Sequence, residues 1–416
     1  MTFLSRHTSD LQNNLFYYSA LLFALTLTLS RAAVSFFIIW FILLFLFQGH
    51  YRTTWILIRK NRALQAMGAF LAFLFASILW SDDTHEALNQ IRLYSYWIII
   101  PILAVSLKKE WLPNIITAFL AGMLVSEILT YGIFFDFWSI NGHTSDDPSP
   151  FMTRIHYSIF LATAAIILLN RLLSNRYSYS VKIPLLVFFI TTAINLFISN
   201  GRTGQLAFLV AIAVTVIIHY RLTLKSLFLF AVLTTTLFVG AYTAIPHFQK
   251  RIDSAITDTK MLQQGNFDTS WGLRAAFWIV TKDILIEHPL TGIGIGDYKH
   301  AAADAVIKNH HNFSPRTIAW CSDMHYHNQY LMILAQSGVI GFFLMLWLLV
   351  ELFRLKIADR ELKEFSVLGL SIFIVGFIAE PLWMLQFPII LFVFIVSISL
   401  AASFQVSAAS KENNVI

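Results

Sequence analysis

Apolar residues run along this chain in blocks too long for a water-soluble core, separated by short polar stretches. Blocks near residues 15–30, 32–48, 64–80, 93–107, 114–136, 157–170, 183–199, 205–219, 226–245, 328–353, 365–379 and 388–404 predict about twelve membrane-spanning helices. Several fall short of the ~20 residues that a straight span needs, so tilted or re-entrant ends are expected. One long polar segment interrupts the series. It divides the chain into residues 1–245 with helices 1–9, residues 246–327 as a soluble loop, and residues 328–416 with helices 10–12 and a short tail. Within the loop, WGLRAAFWIVTKDILIE (271–287) places Leu273, Phe277, Val280 and Ile284 on one helical face, with Arg274, Thr281 and Lys282 on another. Pro289 and the run Gly292, Gly294 and Gly296 end that helix. The expectation is an all-α polytopic membrane protein with a helical subdomain between helices 9 and 10, lying partly on the membrane.

Composition agrees with the pattern. Hydrophobic residues make up 57% of the 416 positions and charged residues only 12%, against about 25% charged in soluble domains. The net charge of +6 would suggest nucleic acid in a soluble chain. Here it reflects the bias that fixes membrane orientation, so no nucleic-acid partner is expected. With the N-terminus inside, basic residues cluster in the inside segments: Arg52, Arg59, Lys60 and Arg62; Lys108 and Lys109; Arg171, Arg176 and Lys182; Arg221 and Lys225; Arg354, Lys356, Arg360 and Lys363. The short outside loops carry lone arginines, Arg31, Arg92, Arg154 and Arg202. Both termini are therefore expected inside and residues 246–327 outside. No cleaved signal peptide is expected, and the single cysteine, Cys321, permits no intramolecular disulfide.

Two groups of residues suggest chemistry. Arg202 follows an apolar block in SNGRTG, where an arginine near membrane depth costs about 2.5–3.5 kcal/mol unless it snorkels or meets an anion. Gly201 and Gly204 would allow a tight turn with backbone N–H groups exposed at the start of the next helix, a natural anion site. Snorkelling to outer headgroups is the plainer reading. The second group is DMHYHNQYLMILAQSGVIGFF, where His325 and His327 precede an apolar helix. Histidine titrates near neutral pH and can take a proton from a hydroxyl. His-x-His could instead hold zinc with His310, His311, Cys321 or Asp323, although the spacing fits no common zinc motif. Gly338 and Gly341 would let another helix pack closely. GIGIG at 292–296 lacks the spacing of a dinucleotide fingerprint and reads as a turn. Asp82–Asp83 and Asp146–Asp147 read as solvated loop pairs, or as ligands of a divalent ion.

In this order, SNGRTG, R-x-x-x-W (Arg274 to Trp278), HPLTGIGIGDY (His288 to Tyr298) and HN-x9-G-x-x-G (His327 to Gly341) resemble the superfamily of O-antigen ligases and related polysaccharide polymerases. Arg154 and His156 in TRIHYS are similar to a further family position. The resemblance implies a multi-span, GT-C-like glycosyltransferase of the bacterial inner membrane with its site facing the periplasm. Its donor would be O-antigen on undecaprenyl diphosphate and its acceptor a sugar hydroxyl of lipid A–core. No cofactor or metal is implied, and the anomeric centre would be inverted. His327 would be the general base, with Arg202 and Arg274 facing the departing diphosphate. Arg154, His325 and Asn328 would bind substrate, and His325 remains an alternative base. An O-antigen polymerase using the same donor is the nearest rival. A twelve-span transporter is disfavoured because no two similar halves flank an inside central loop.

Overall fold

The computed structural model describes residues 2–220, 223–244, 246–309 and 312–412. Among them every regular element is helical, and no strand occurs. The first eleven helices are α1 (Thr2–Thr26), α2 (Arg31–Gln48), α3 (Tyr51–Lys60), α4 (Arg62–Ala76), α5 (Thr84–Tyr94), α6 (Ile99–Ser106), α7 (Leu112–Phe134), α8 (Arg154–Leu173), α9 (Tyr179–Ile198), α10 (Arg202–Tyr220) and α11 (Leu224–Ala244). The polar segment contributes α12 (Pro246–Gln263), α13 (Ser270–Glu287), α14 (Tyr298–Asn309) and α15 (Pro315–Asp323). The chain returns to apolar helices in α16 (Gln329–Phe353), α17 (Arg360–Gly376) and α18 (Gln386–Glu412).

Nine segments among the described residues are long and apolar enough to cross a membrane. The other three predicted blocks coincide with α1, α11 and α17, which are helical. The block predicted at 93–107 begins earlier, at Thr84, because Asp83 caps α5 by accepting the Glu86 N–H. Burial separates the inner helices from the rest. The span windows of α8 and α18 are 83% and 89% buried inside the protein, against 22% for α9. Thus α8 and α18 form the centre of the bundle, and α9 presents most of its side chains outward, as a lipid-facing helix must.

The two ends of the bundle differ in charge. At one end Arg171 of α8 pairs with Glu361 of α17, Arg176 after α8 pairs with the α17 cap Asp359, and Arg360 pairs with Glu364 within α17. Lys60, Arg62, Arg354 and Lys356 line one cavity at the α4 and α16 termini. These belong to the clusters expected inside. The lone arginines Arg31, Arg154 and Arg202 begin α2, α8 and α10, and the contacts described below bring them to the end where α16 begins. Within a span, Glu127 on α7 is buried and accepts a hydrogen bond from Thr192 on α9 (2.8 Å).

Helices α13 to α15 share a small core of their own that rests on the start of α16. Phe277, Val280 and Ile284 meet Val306, Cys321 and Tyr326, and the cluster extends to Leu331 and Met332. Leu273, Phe277, Val280 and Ile284 are buried, matching the predicted apolar face of α13. Thr281 corrects it, being buried with its hydroxyl returned to the Phe277 carbonyl. Asp297, in the turn before α14, fastens this unit to the bundle. Its carboxylate accepts from the backbone N–H groups of Asp82 (2.9 Å) and Asp83 (2.7 Å) and from the Ser81 hydroxyl (3.1 Å). Asp82 and Asp83 are therefore parts of a joint and a helix cap.

The glycine-rich stretch runs alongside α16 instead of forming an isolated turn. Ile293 and Gly294 donate to the carbonyls of Ala335 and Gln336, and Val339 and Ile340 donate back to Pro289 and Leu290. This exchange needs α16 to open at Gly338, where the backbone has φ 60° and ψ −163°. A Cβ on Gly338 would overlap the Leu290 carbonyl group. The expectation of helix packing at Gly338 is thus corrected: the close neighbour is an extended chain segment. Gly341 faces Phe73 of α4.

Candidate active site

Polar residues gather where α16 begins. Asn328 is the N-cap of α16, its side-chain oxygen accepting the N–H groups of Tyr330 and Leu331 while its amide nitrogen donates to the Ile378 carbonyl (2.9 Å). Gln329 donates its N–H to the Phe377 carbonyl and accepts the Trp383 N–H, both at 2.8 Å. These bonds join the start of α16 to the turn between α17 and α18. Aromatic packing beneath stiffens that turn, with Trp383 lying 4.8 Å from Phe377 and 4.9 Å from Trp97 between ring centres. Asn328 is thereby committed to the scaffold, at the position expected to bind substrate.

The joint sets Glu380 against the histidines. His327 Nδ1 lies 3.0 Å from Glu380 Oε2, and His325 Nε2 lies 3.4 Å from Glu380 Oε1. Glu380 is 3% exposed. Burial alone would raise its carboxyl, but the His327 hydrogen bond and the His325, His327 and His156 charges outweigh it and hold the group below the ordinary carboxylate range. Burial also lowers the His325 imidazole, with Glu380 opposing.

The two rings differ in what remains available. His325 Nδ1 faces the His327 N–H at 3.4 Å, so both of its nitrogens have neighbours. His327 spends Nδ1 on Glu380, and its buried Nε2 has no hydrogen-bond partner among the described residues. Trp320 stacks on the His327 ring at 5.4 Å and 12°, fixing its plane. His327 also holds a left-handed backbone, φ 47°, which is unusual for a side chain of this size and places the ring between Trp320 and Glu380.

Of the expected arginines, Arg274 feels the charge of Glu380. Arg274, half-buried on α13, donates from Nη1 to the Ser270 carbonyl (3.0 Å) and hydroxyl (2.8 Å). Burial lowers its guanidinium below the usual value, and the charges of Glu380 and Asp258 oppose that shift. One turn earlier, Trp271 shares a cavity of about 210 Å³ with Arg202, Asn200, Phe197 and Leu206. Arg154 starts α8 beside Gly201, and among the described residues its side chain has no hydrogen-bond or ion-pair partner. His156, one residue beyond Ile155, is buried and feels the charges of Glu380, Arg31 and His325.

The glycines of SNGRTG act differently from the expectation. Cβ atoms on Gly201 and Gly204 would both overlap Ser158, so these residues let α10 approach α8. The Gly204 N–H donates to Ser158 Oγ (3.1 Å) and is not open to an anion. The left-handed residue of the turn is Asn200, φ 58°. Cys321 also departs from the zinc alternative, since it is enclosed in the small core and burial pushes its thiol up to about 12. His310 and His311 lie outside the described residues.

Residues 187–346 match the sequence model of the family described as O-antigen ligase. The chain carries an O-antigen ligase family domain. The matched span of this domain contains Arg202, Arg274, His325, His327 and Asn328. Arg154, His156 and Glu380 lie outside it, and the fold joins them to it. A search of curated proteins gave no match. The family domain and the apolar helices together support a multi-pass membrane protein of O-antigen ligase or polymerase type, acting on lipid-linked polysaccharide.

Sequence reasoning missed Glu380. Its signal was a single acid, followed by proline, in the apolar connection FIAEPLW between two predicted spans, a place where an ionisable group is costly unless it has a function or a partner.

Proposed function

We propose that this protein transfers O-antigen polysaccharide from undecaprenyl diphosphate to a sugar hydroxyl of lipid A–core at the periplasmic face of the inner membrane. The observation that carries the reading is the His327 ring, held through Nδ1 by Glu380 while the buried Nε2 has no protein partner among the described residues. A carboxylate on Nδ1–H keeps the Nε2 lone pair free and stabilises the imidazolium that forms when a proton arrives. The acceptor hydroxyl gives its proton to Nε2 while its oxygen bonds to the anomeric carbon of the donor. The bond from that carbon to the diphosphate oxygen breaks on the opposite face, inverting the centre, and the electron pair departs with the diphosphate.

Arg202, Arg274 and Arg154 face that leaving group. A diphosphate needs no strong general acid but gains negative charge as it departs, and fixed guanidinium groups stabilise such charge more than mobile water does. Arg154 is suited to this role because no protein acid occupies it among the described residues. Arg274 is held by Ser270 through Nη1. The cavity beside Arg202 is mainly apolar, which suits the first isoprenoid units of the carrier. His325 supports the base through its contact with Glu380 and the His327 backbone. No metal or cofactor takes part in the step.

Deletion in the native host, with lipopolysaccharide resolved on a gel beside a complemented strain, tests the proposal. Core-only lipopolysaccharide, with polymer accumulating on the lipid carrier, is expected. Core bearing a single repeat unit would identify a polymerase and overturn the ligase reading.

A further inference from the structure

His325, His327 and Glu380 each offer one ligand atom, and the three atoms lie within 4.8 Å of one another. The two measured edges, His327 Nδ1 to Glu380 Oε2 at 3.0 Å and His325 Nε2 to Glu380 Oε1 at 3.4 Å, bracket the roughly 3.3 Å separating ligands around a tetrahedral zinc ion. Two imidazoles and a carboxylate form a donor set suited to zinc and its neighbours. Glu380 is buried, and the bonds from Asn328 to the Ile378 carbonyl and from the Trp383 N–H to Gln329 hold the turn that carries it, so the ligands need little reordering. We propose that this triad is a binding site for a zinc-class divalent ion, and that occupancy inhibits the protein.

The inhibitory sense follows from the histidine tautomer and rests on the function proposed above. A neutral imidazole carries one proton. In the unliganded protein that proton sits on Nδ1, shared with Glu380, and Nε2 is the base. An ion bound between the rings takes the Nδ1 lone pair, so the proton must move to Nε2. Nε2 then donates and cannot accept a proton from a hydroxyl. The ion also takes the Glu380 charge that would stabilise the imidazolium. Arg274 interacts with Glu380 through its charge and opposes a further cation. The inferred ion is therefore reversible and regulatory, entering when its concentration rises, and it is not a resident cofactor.

The test uses the purified full chain in lipid nanodiscs, stripped with chelator. Cobalt(II) titration reads the visible absorption of a tetrahedral site, and zinc chloride titration by calorimetry reads affinity. One ion per chain is expected, with affinity falling at least about tenfold in both His325→Ala and Glu380→Gln. Cys321→Ser removes the one thiol and should bind as the parent does. No tetrahedral cobalt signal, or equal affinity in parent, His325→Ala and Glu380→Gln, would overturn the site and leave the role of His327 untouched. Binding at the triad without loss of glycan transfer would overturn the inhibitory inference and count against His327 as base. Thermal melting of each variant separates a lost ligand from a lost fold.

Discussion

Glu380 and His327 are separated by 53 residues in sequence, yet their side chains meet at 3.0 Å. The carboxylate comes from the turn after α17 and the imidazole from the residue before the α16 cap, and backbone bonds between those two places leave neither free to drift. The pair gives one imidazole nitrogen an oriented proton and leaves the other open.

If the pair acts as base and orienting acid, His327→Ala should lower glycan transfer by roughly 10²–10⁴-fold. Glu380→Gln should cost at least about tenfold, because an amide can orient the ring but cannot stabilise its charge. Rates at saturating acceptor, with equal protein in the membrane, check this. Normal transfer in both variants would sink the assignment.

Arg202→Lys and Arg274→Lys keep a positive charge and lose the planar pair of donors. Transfer should fall at least about tenfold in each, chiefly in kcat, because the contacts strengthen as the diphosphate departs. An effect confined to the KM for donor would mean ground-state binding only. Unchanged kinetics in both would remove the arginines from the mechanism.

Gly338→Ala should deplete folded protein, because its φ of 60° and the Leu290 carbonyl both exclude a Cβ. Gly68→Ala meets nothing within 4 Å and should be tolerated, with slightly better helix propensity. Fluorescence size-exclusion profiles of the two variants make the comparison. Equal monodisperse peaks would mean that the glycine segment does not thread α16 as described.

Burial raises the Cys321 thiol to about 12, while an unfolded cysteine titrates near 8.5. An acid whose folded value is raised favours the folded state in its protonated form. That contribution is complete below the unfolded value and disappears as pH rises through the window between 8.5 and 12. Maleimide should therefore leave Cys321 unlabelled in the native protein near neutral pH and label it on unfolding. Rapid native labelling would contradict the closed core of α13 to α15.

Much of this architecture is legible in the sequence because its physical cause is local. A bilayer demands long apolar runs with internally satisfied backbones, so the blocks announce themselves residue by residue. An amphipathic period identified α13, and the local dipeptides His327–Asn328 and Asn200–Gly201 marked the places where spans begin. Arg154 and Arg202 were likewise visible as lone arginines in short outside loops and His325 and His327 as polar residues before an apolar helix, while Arg274 stood out only through the family resemblance. The tertiary structure decided what those residues meet. Ser81 and Asp297, separated by 216 residues, form the joint between the polar segment and the bundle. The break at Gly338 exists only because residues 289–294 lie beside α16. Glu380 and Glu127 could be suspected from sequence as acids in apolar surroundings, but periodicity carries no information about which distant hydroxyl or imidazole will face them. A helix period fixes the direction of a side chain around its own axis. Its partner depends on how helices remote in sequence are placed together, and that placement comes from the packing of the whole bundle.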